Sequence, residues 1–210
     1  SFGANKNVVL VGNPVRAEIW QLPDPARRME SRRDAVRLLI LGGSQGAQAL
    51  NRVVPEAMNL VDFSTRVEIR HQAGAGKDEA TAAAYQASGV EAAVVPFIAN
   101  MAEAYAWADL VICRSGALTV SELAASGVGS VLVPYPHAVD DHQTLNASYL
   151  ADPGAAILQP QSELDPEALA VTLKQLLNDR DRLLQMAQTA RSLAKPMATM
   201  DVADICEEIQ

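Results

Sequence analysis

Two short glycine-bearing turns hold the residues best suited to chemistry in this chain. Gly42-Gly43-Ser44-Gln45-Gly46 follows an apolar run at 36–41 and precedes a helical pattern at 47–60. Arg114-Ser115-Gly116 follows a second apolar run, 109–113, and precedes a helix carrying Ala117, Leu118, Thr119, Val120, Ser121 and Glu122. A glycine turn between strand and helix lets backbone N–H groups approach a phosphate, and the positive end of the helix dipole adds to the attraction. Two such turns on neighbouring strands can hold a diphosphate between them. Glu122 shares a helix face with Leu118 and Thr119, where its carboxylate can accept both hydroxyls of a ribose.

Each feature also has a plainer reading. GGSQG departs from GxGxxG, and the acidic residue wanted about 20 positions later is missing, so NAD finds little support. Alone, that turn is equally a tight strand–helix junction, and Glu122 alone is a solvated helix glutamate. Asp140-Asp141-His142 lacks the supporting cluster of a metal site. Asp141 reads instead as the N-cap of the next helix. His142, Gln143 and Asn146 then fall near that helix's start and can offer hydrogen bonds to sugar hydroxyls. His71 has no visible nucleophile or acid partner and reads as structural, and His137 as structural or weakly associated with the site. Ser44, Ser115 and Ser121 lack the GxSxG setting of a hydrolase.

These groups need a frame. Strands are expected at 7–11, 36–41, 66–71, 91–96, 109–113, 130–133 and 155–158. Helices are expected at 47–60, 77–87, 101–108, 142–151, 166–178, 180–194 and 201–209, besides the one after Gly116. Pro14 suits the first position of a helical turn over 14–20, and 21–35, with Pro23 and Pro25, reads as a connector. Asp165 before Pro166 is an N-cap signal. Strands alternating with helices predict an α/β fold: a doubly wound, Rossmann-like, mostly parallel sheet with a helical C-terminal tail. The three closing helices cannot all cover one sheet face.

Composition narrows the function classes. The 210 residues are 49% hydrophobic and 20% charged, as in a globular domain with a full core. A formal charge of −8 argues against nucleic acid as a partner. The locally basic stretch 27–37 reads as a solvated linker. Two distant cysteines suggest a reducing compartment and no disulfide framework. No apolar run approaches the ~18 residues that span a bilayer, so membrane contact is expected to be peripheral.

GNPVR (12–16), GGSQGAQALN (42–51), HQAG (71–74), PFIANMAEAYAWADLVICRSGALTVSE (96–122) and PYPHAVDDHQTLNA (134–147) together resemble the MurG family of glycosyltransferases. The resemblance spans nearly the whole chain but only the carboxyl-terminal half of that family. It implies one half of a GT-B enzyme of peptidoglycan synthesis, whose donor is UDP-N-acetylglucosamine and whose acceptor is lipid-linked N-acetylmuramoyl-pentapeptide. The chain is thereby expected to divide into a connector and first strand (1–35), a donor-binding domain (36–195), and a last helix (196–210) packing towards a missing N-terminal acceptor domain. That missing half would carry the catalytic base, leaving no catalytic residue here, and no metal or other cofactor is expected.

The family pattern implies that Arg16 lies near the donor at the domain junction and that Ser44 approaches the diphosphate. Ile98 and Met101 would frame the uracil. Ala117 to Glu122 (with Leu118, Thr119, Val120 and Ser121) would line the nucleotide, and Glu122 would take the ribose hydroxyls. His142 and Gln143 would read the sugar. His142 stands where some members have Gln, and Gly129 where Pro is common, which is expected to loosen the turn before Ser130. The full-length protein is expected in the cytoplasm, peripheral to the inner face of the bacterial membrane. Two other readings stay open: an epimerase-like GT-B enzyme, and a non-catalytic nucleotide-sugar-binding module.

Overall fold

The computed structural model describes residues 9, 11–30, 32, 34–136 and 141–208. Six strands form one parallel sheet: β1 (Ala35–Leu41), β2 (Arg66–Gln72), β3 (Ala93–Val95), β4 (Leu110–Cys113), β5 (Gly129–Leu132) and β6 (Ala156–Leu158). Their spatial order is β3-β2-β1-β4-β5-β6. The helices are α1 (Ala17–Trp20), α2 (Pro25–Glu30), α3 (Gln48–Asn59), α4 (Asp78–Ala87), α5 (Met101–Trp107), α6 (Ala117–Ser126), α7 (His142–Ala151), α8 (Pro166–Leu177), α9 (Arg180–Ser192) and α10 (Ala198–Glu208).

The sheet is covered on both faces, which is why β1, β4 and β5 read as continuous apolar runs. Successive side chains along a strand point to opposite faces. Val36, Leu38 and Ile40 of β1, with Leu110 and Ile112 of β4, therefore share one core with α3, α8 and most of α9. Leu39 and Leu41, with Val111 and Cys113, enter the other core, against α5, α6 and α7. Asp165 caps α8 as expected, its carboxylate accepting from the Ala168 N–H at 2.7 Å.

Several local expectations are corrected. The strand expected at 7–11 falls mostly outside the described residues, and Val9 and Val11 are not in a strand. Pro14 does not open a helix; α1 begins at Ala17, with Arg16 extended at its N-cap. The supposed connector contains α2, opened by Pro25.

The basic stretch is not simply solvated. Arg28 is buried, and its Nη1 and Nη2 donate to the carbonyls of Ser126 (2.6 Å) and Gly127 (2.5 Å). Arg32 donates to the carbonyls of Ala106 and Trp107 and pairs with Asp109. The last carbonyls of a helix lack intrahelical donors and carry the negative end of its dipole. Two arginines meet that need at the ends of α6 and α5. Burial, with help from neighbouring Arg32 and Arg191, lowers the Arg28 pKa to about 10.

Gly129 has a packing role that the sequence did not suggest. It is the buried first residue of β5, and a Cβ there would stand 2.9 Å from the Met186 Cβ, because α9 packs directly onto the strand. Asp141 occupies the N-cap position of α7 in the left-handed region (φ 51°), but its carboxylate accepts the Thr144 hydroxyl rather than a backbone N–H.

His71 is structural, as expected. It is fully buried, with Nδ1 2.9 Å from the Tyr85 hydroxyl and Nε2 3.0 Å from Asn51 Oδ1. The Asn51 amide nitrogen donates to the Ala73 carbonyl, so its oxygen must accept. Nε2 therefore carries the proton, and Tyr85 donates to Nδ1. Burial lowers the His71 pKa to about 4, against 6.5 in an unperturbed histidine. Below pH ~6.5 the unfolded chain binds a proton that the folded chain refuses. This contribution to stability is thus complete above that pH and lost as pH falls towards about 4. The urea midpoint is expected to drop between pH 7 and pH 5 while the folded imidazole stays neutral by NMR. A His71 ring titrating near 6.5 in the folded protein would contradict this.

Candidate functional site

β1 and β4 are neighbours in the sheet, but the chain leaves them in opposite directions, towards β2 and towards β5. Such a switch point leaves a crevice at the carboxyl ends of the strands, where ligands of open α/β sheets bind. Both glycine turns open onto it. Neither N-cap residue, Ala47 of α3 or Gly116 of α6, caps its helix with a side chain. The first N–H groups of such helix starts suit an anion.

The 42–46 turn is fixed from β2. Gly42 N–H donates to the Gln72 carbonyl, and Gly43 N–H to the Gln72 side-chain oxygen, both at 2.9 Å. The Gln72 amide nitrogen donates back to the carbonyls of Gly43 and Pro96, each at 3.0 Å. Gly46 and Gly74 touch backbone to backbone: a Cβ on Gly74 would lie 2.5 Å from Gly46 N and Cα.

A cleft of about 240 Å³ brings together six of the residues singled out in the sequence: Arg16, Ser44, Ile98, Met101, Thr119 and Glu122. Its wall also includes Leu41, Gln72, exposed Phe97, buried Tyr105 and Cys113, and half-buried Arg114. Arg16 Nε and Nη2 donate to Glu122 Oε1 at 3.1 and 2.6 Å. Hydrogen bonding to Glu122 raises the Arg16 pKa above its ordinary value. Tyr105 donates its hydroxyl to Glu122 Oε2 at 3.1 Å. Arg114 spans the carbonyls of Val133 and Pro134 and the Gln161 side chain, and burial lowers its pKa. Burial also pushes the Cys113 thiol up to about 12, which leaves it inert as a nucleophile.

The remaining sequence candidates lie elsewhere. Ala117, Val120 and Ser121 face a second, mainly apolar cavity of about 270 Å³ shared with Trp20, Leu145 and Tyr149. Ser121 is further held by Asn13, whose amide nitrogen donates to its hydroxyl at 3.0 Å. Leu118 is exposed and lines neither cavity. His142 and Gln143 start α7 outside both linings. The Gln143 side-chain oxygen accepts from Tyr135 N–H, and its carbonyl from the buried Ser115 hydroxyl. Gln143 therefore ties the loop after β5 to the turn after β4. His137 and Asp140 lie outside the described residues. Among the described residues, no group of three or more His, Cys, Asp or Glu could hold a metal ion.

Sequence reasoning gave no role to Gln72 or Tyr105, although both stood within quoted motifs, and it named Arg114 in its turn without a partner; none of the three carried a local signal of what it contacts.

Residues 37–209 match the Glycosyltransferase family 28 C-terminal domain. The chain is 53% identical over 208 residues to a Marinobacter nauticus protein named as a UDP-N-acetylglucosamine–N-acetylmuramyl-(pentapeptide) pyrophosphoryl-undecaprenol N-acetylglucosamine transferase, covering 99% of this chain and 57% of that protein. A Dechloromonas aromatica protein of the same name is 56% identical, over 97% of this chain and 57% of its own length. The chain thus spans little more than half the length of these curated relatives. Among solved structures, Acinetobacter baumannii MurG superposes with a TM-score of 0.85 at 42% identity, over 96% of this chain and 58% of that one. WaaG, a glycosyltransferase involved in lipopolysaccharide biosynthesis, shares the fold at 18% identity, with a TM-score of 0.67 over 94% of this chain and 55% of that one.

Proposed function

We propose that this chain, which belongs to the glycosyltransferase family 28 C-terminal domains, is the donor-binding half of an inverting N-acetylglucosaminyltransferase of peptidoglycan synthesis. The donor is UDP-N-acetylglucosamine, and the acceptor of the full-length protein is lipid-linked N-acetylmuramoyl-pentapeptide. The observation that carries the reading is one cleft holding an apolar slot and a fixed carboxylate, at the switch point of the sheet where two helices without side-chain caps begin.

The parts divide the nucleotide among them. Ile98 and Met101, with Phe97, form the slot for the base. Glu122 takes the ribose. Ser44 and the N–H groups of the two helix starts take the diphosphate, with Arg16 at the rim. His142 and Gln143 stand beyond the diphosphate and meet the sugar, while Ala117, Leu118, Val120 and Ser121 shape the helix that separates the two cavities.

In the transfer, the acceptor hydroxyl attacks the anomeric carbon, the bond to the diphosphate breaks, and UDP leaves with the electron pair. Negative charge grows on the diphosphate as it departs. Oriented backbone dipoles at the helix starts stabilise that charge without reorganising, so donor binding on this reading needs no metal. The base that takes the acceptor's proton comes from the part of the full-length protein outside these residues, towards which α10 packs, and this chain alone is inactive. The full-length protein sits peripherally on the cytoplasmic face of the membrane; among the described residues no helix is long and apolar enough to cross one.

Titration calorimetry tests the donor site directly. Uridine diphosphate and UDP-N-acetylglucosamine are expected to bind, with affinity unchanged by EDTA, while NAD is not. Tight NAD binding without uridine diphosphate binding would overturn the assignment, and lipid product made by residues 1–210 alone would overturn the claim of inactivity.

A further inference from the structure

The Glu122 carboxylate is held on both oxygens by side chains of the protein itself, and its two holders differ in kind. Arg16, on Oε1, precedes α1, and its side chain is 54% exposed. Tyr105, on Oε2, is fully buried in α5 and packs in the core formed with Leu39, Val111 and Leu123. Its burial and the adjacent carboxylate raise the phenol pKa well above the ordinary value, so the hydroxyl stays a donor. A carboxylate offers about four acceptor positions. Three are filled, two by Arg16 and one by Tyr105. Two ribose hydroxyls therefore cannot both bind until Arg16 gives up at least one bond. Arg16 can release into solvent or turn to the diphosphate. Tyr105 cannot release without leaving a buried hydroxyl unpaired, which is costly.

We infer that Tyr105 is a positioning and specificity-determining residue: it holds the Glu122 carboxylate in place while Arg16 exchanges, so that both ribose hydroxyls are read together. This deepens the donor-site reading above and rests on Glu122 being the ribose acceptor. A carboxylate fixed at one oxygen presents its remaining acceptor positions in a set direction. Without Tyr105 it is free to follow Arg16, and the two hydroxyls lose their joint partner.

The test compares uridine diphosphate with 2′-deoxyuridine diphosphate by calorimetry on the 210-residue chain. The wild type is expected to prefer the ribonucleotide about tenfold, the worth of one hydrogen bond to a charged group. Tyr105→Phe, with its fold checked by circular dichroism, is expected to bring that preference within about threefold. A merely structural tyrosine would weaken both ligands equally and leave the ratio intact, and that result overturns the inference. Arg16→Met decides the matter if Tyr105→Phe does not fold. It is expected to bind both ligands more weakly yet keep the preference, and loss of the preference there would show that Arg16 sets the carboxylate. No preference in the wild type, or its survival in Glu122→Ala, would remove the ribose reading itself and this inference with it.

Discussion

Replacing Glu122 by alanine is expected to weaken uridine diphosphate binding about 100-fold, because two hydrogen bonds to a charged acceptor are lost together. Glu122 is well placed for so large an effect. Its side chain is 13% exposed, at the edge of the cleft, and oriented from both sides. Arg16 should add little stability cost, since an exposed cation freed from its partner is taken up by water. Tyr105 pays more: its buried hydroxyl loses its acceptor, a loss of about 1–3 kcal/mol. The variant should therefore be folded but less stable, and calorimetry together with a denaturation curve separates the two effects. Unchanged affinity for uridine diphosphate in a folded Glu122→Ala protein would refute the ribose role.

How far the site could be read in advance depended on the range of the interaction. The two glycine turns announce themselves within a few residues, and their adjacency follows from a β1–β4 pairing that a doubly wound sheet makes natural. Apolar runs at β1, β4 and β5 are legible for the same reason: burial on both faces leaves no room for alternation. Arg28 and Arg32 were misread because a run of charges looks solvated until its partners are known. Those partners, the carbonyl ends of α6 and α5, lie at least 74 residues away along the chain. Tyr105 was hidden differently: in sequence it belongs to the apolar face of a short helix, and only the fold shows its hydroxyl meeting Glu122. The division of α6 also escaped the sequence. Thr119 and Glu122 face one cavity and Ala117, Val120 and Ser121 the other, because residues 3–4 apart share a helix face.

The 42–46 turn offers the sharpest stability test, since two of its glycines share a backbone conformation but not an environment. Gly46 (φ 69°) and Gly43 (φ 75°) both lie in the left-handed region that costs other residues about 1–2 kcal/mol. A Cβ on Gly43 would meet nothing within 4 Å. On Gly46 it would run into the Ala73 carbonyl oxygen. That oxygen cannot move aside freely, because it accepts from Asn51, while Ala73 N–H donates to Val95 and so anchors the end of β2 to β3. Gly43→Ala is therefore expected to cost only the conformational term. Gly46→Ala adds displacement of the turn from β2, for a total of about 3–5 kcal/mol. Because α3 starts at this turn, its N–H groups would shift with it, and affinity for uridine diphosphate should fall along with the melting temperature. Equal melting temperatures for the two variants would show that the backbone contact between the turn and β2 is dispensable. A Gly46→Ala protein that is destabilised yet binds uridine diphosphate at wild-type strength would show that the helix start at Ala47 does not hold the diphosphate.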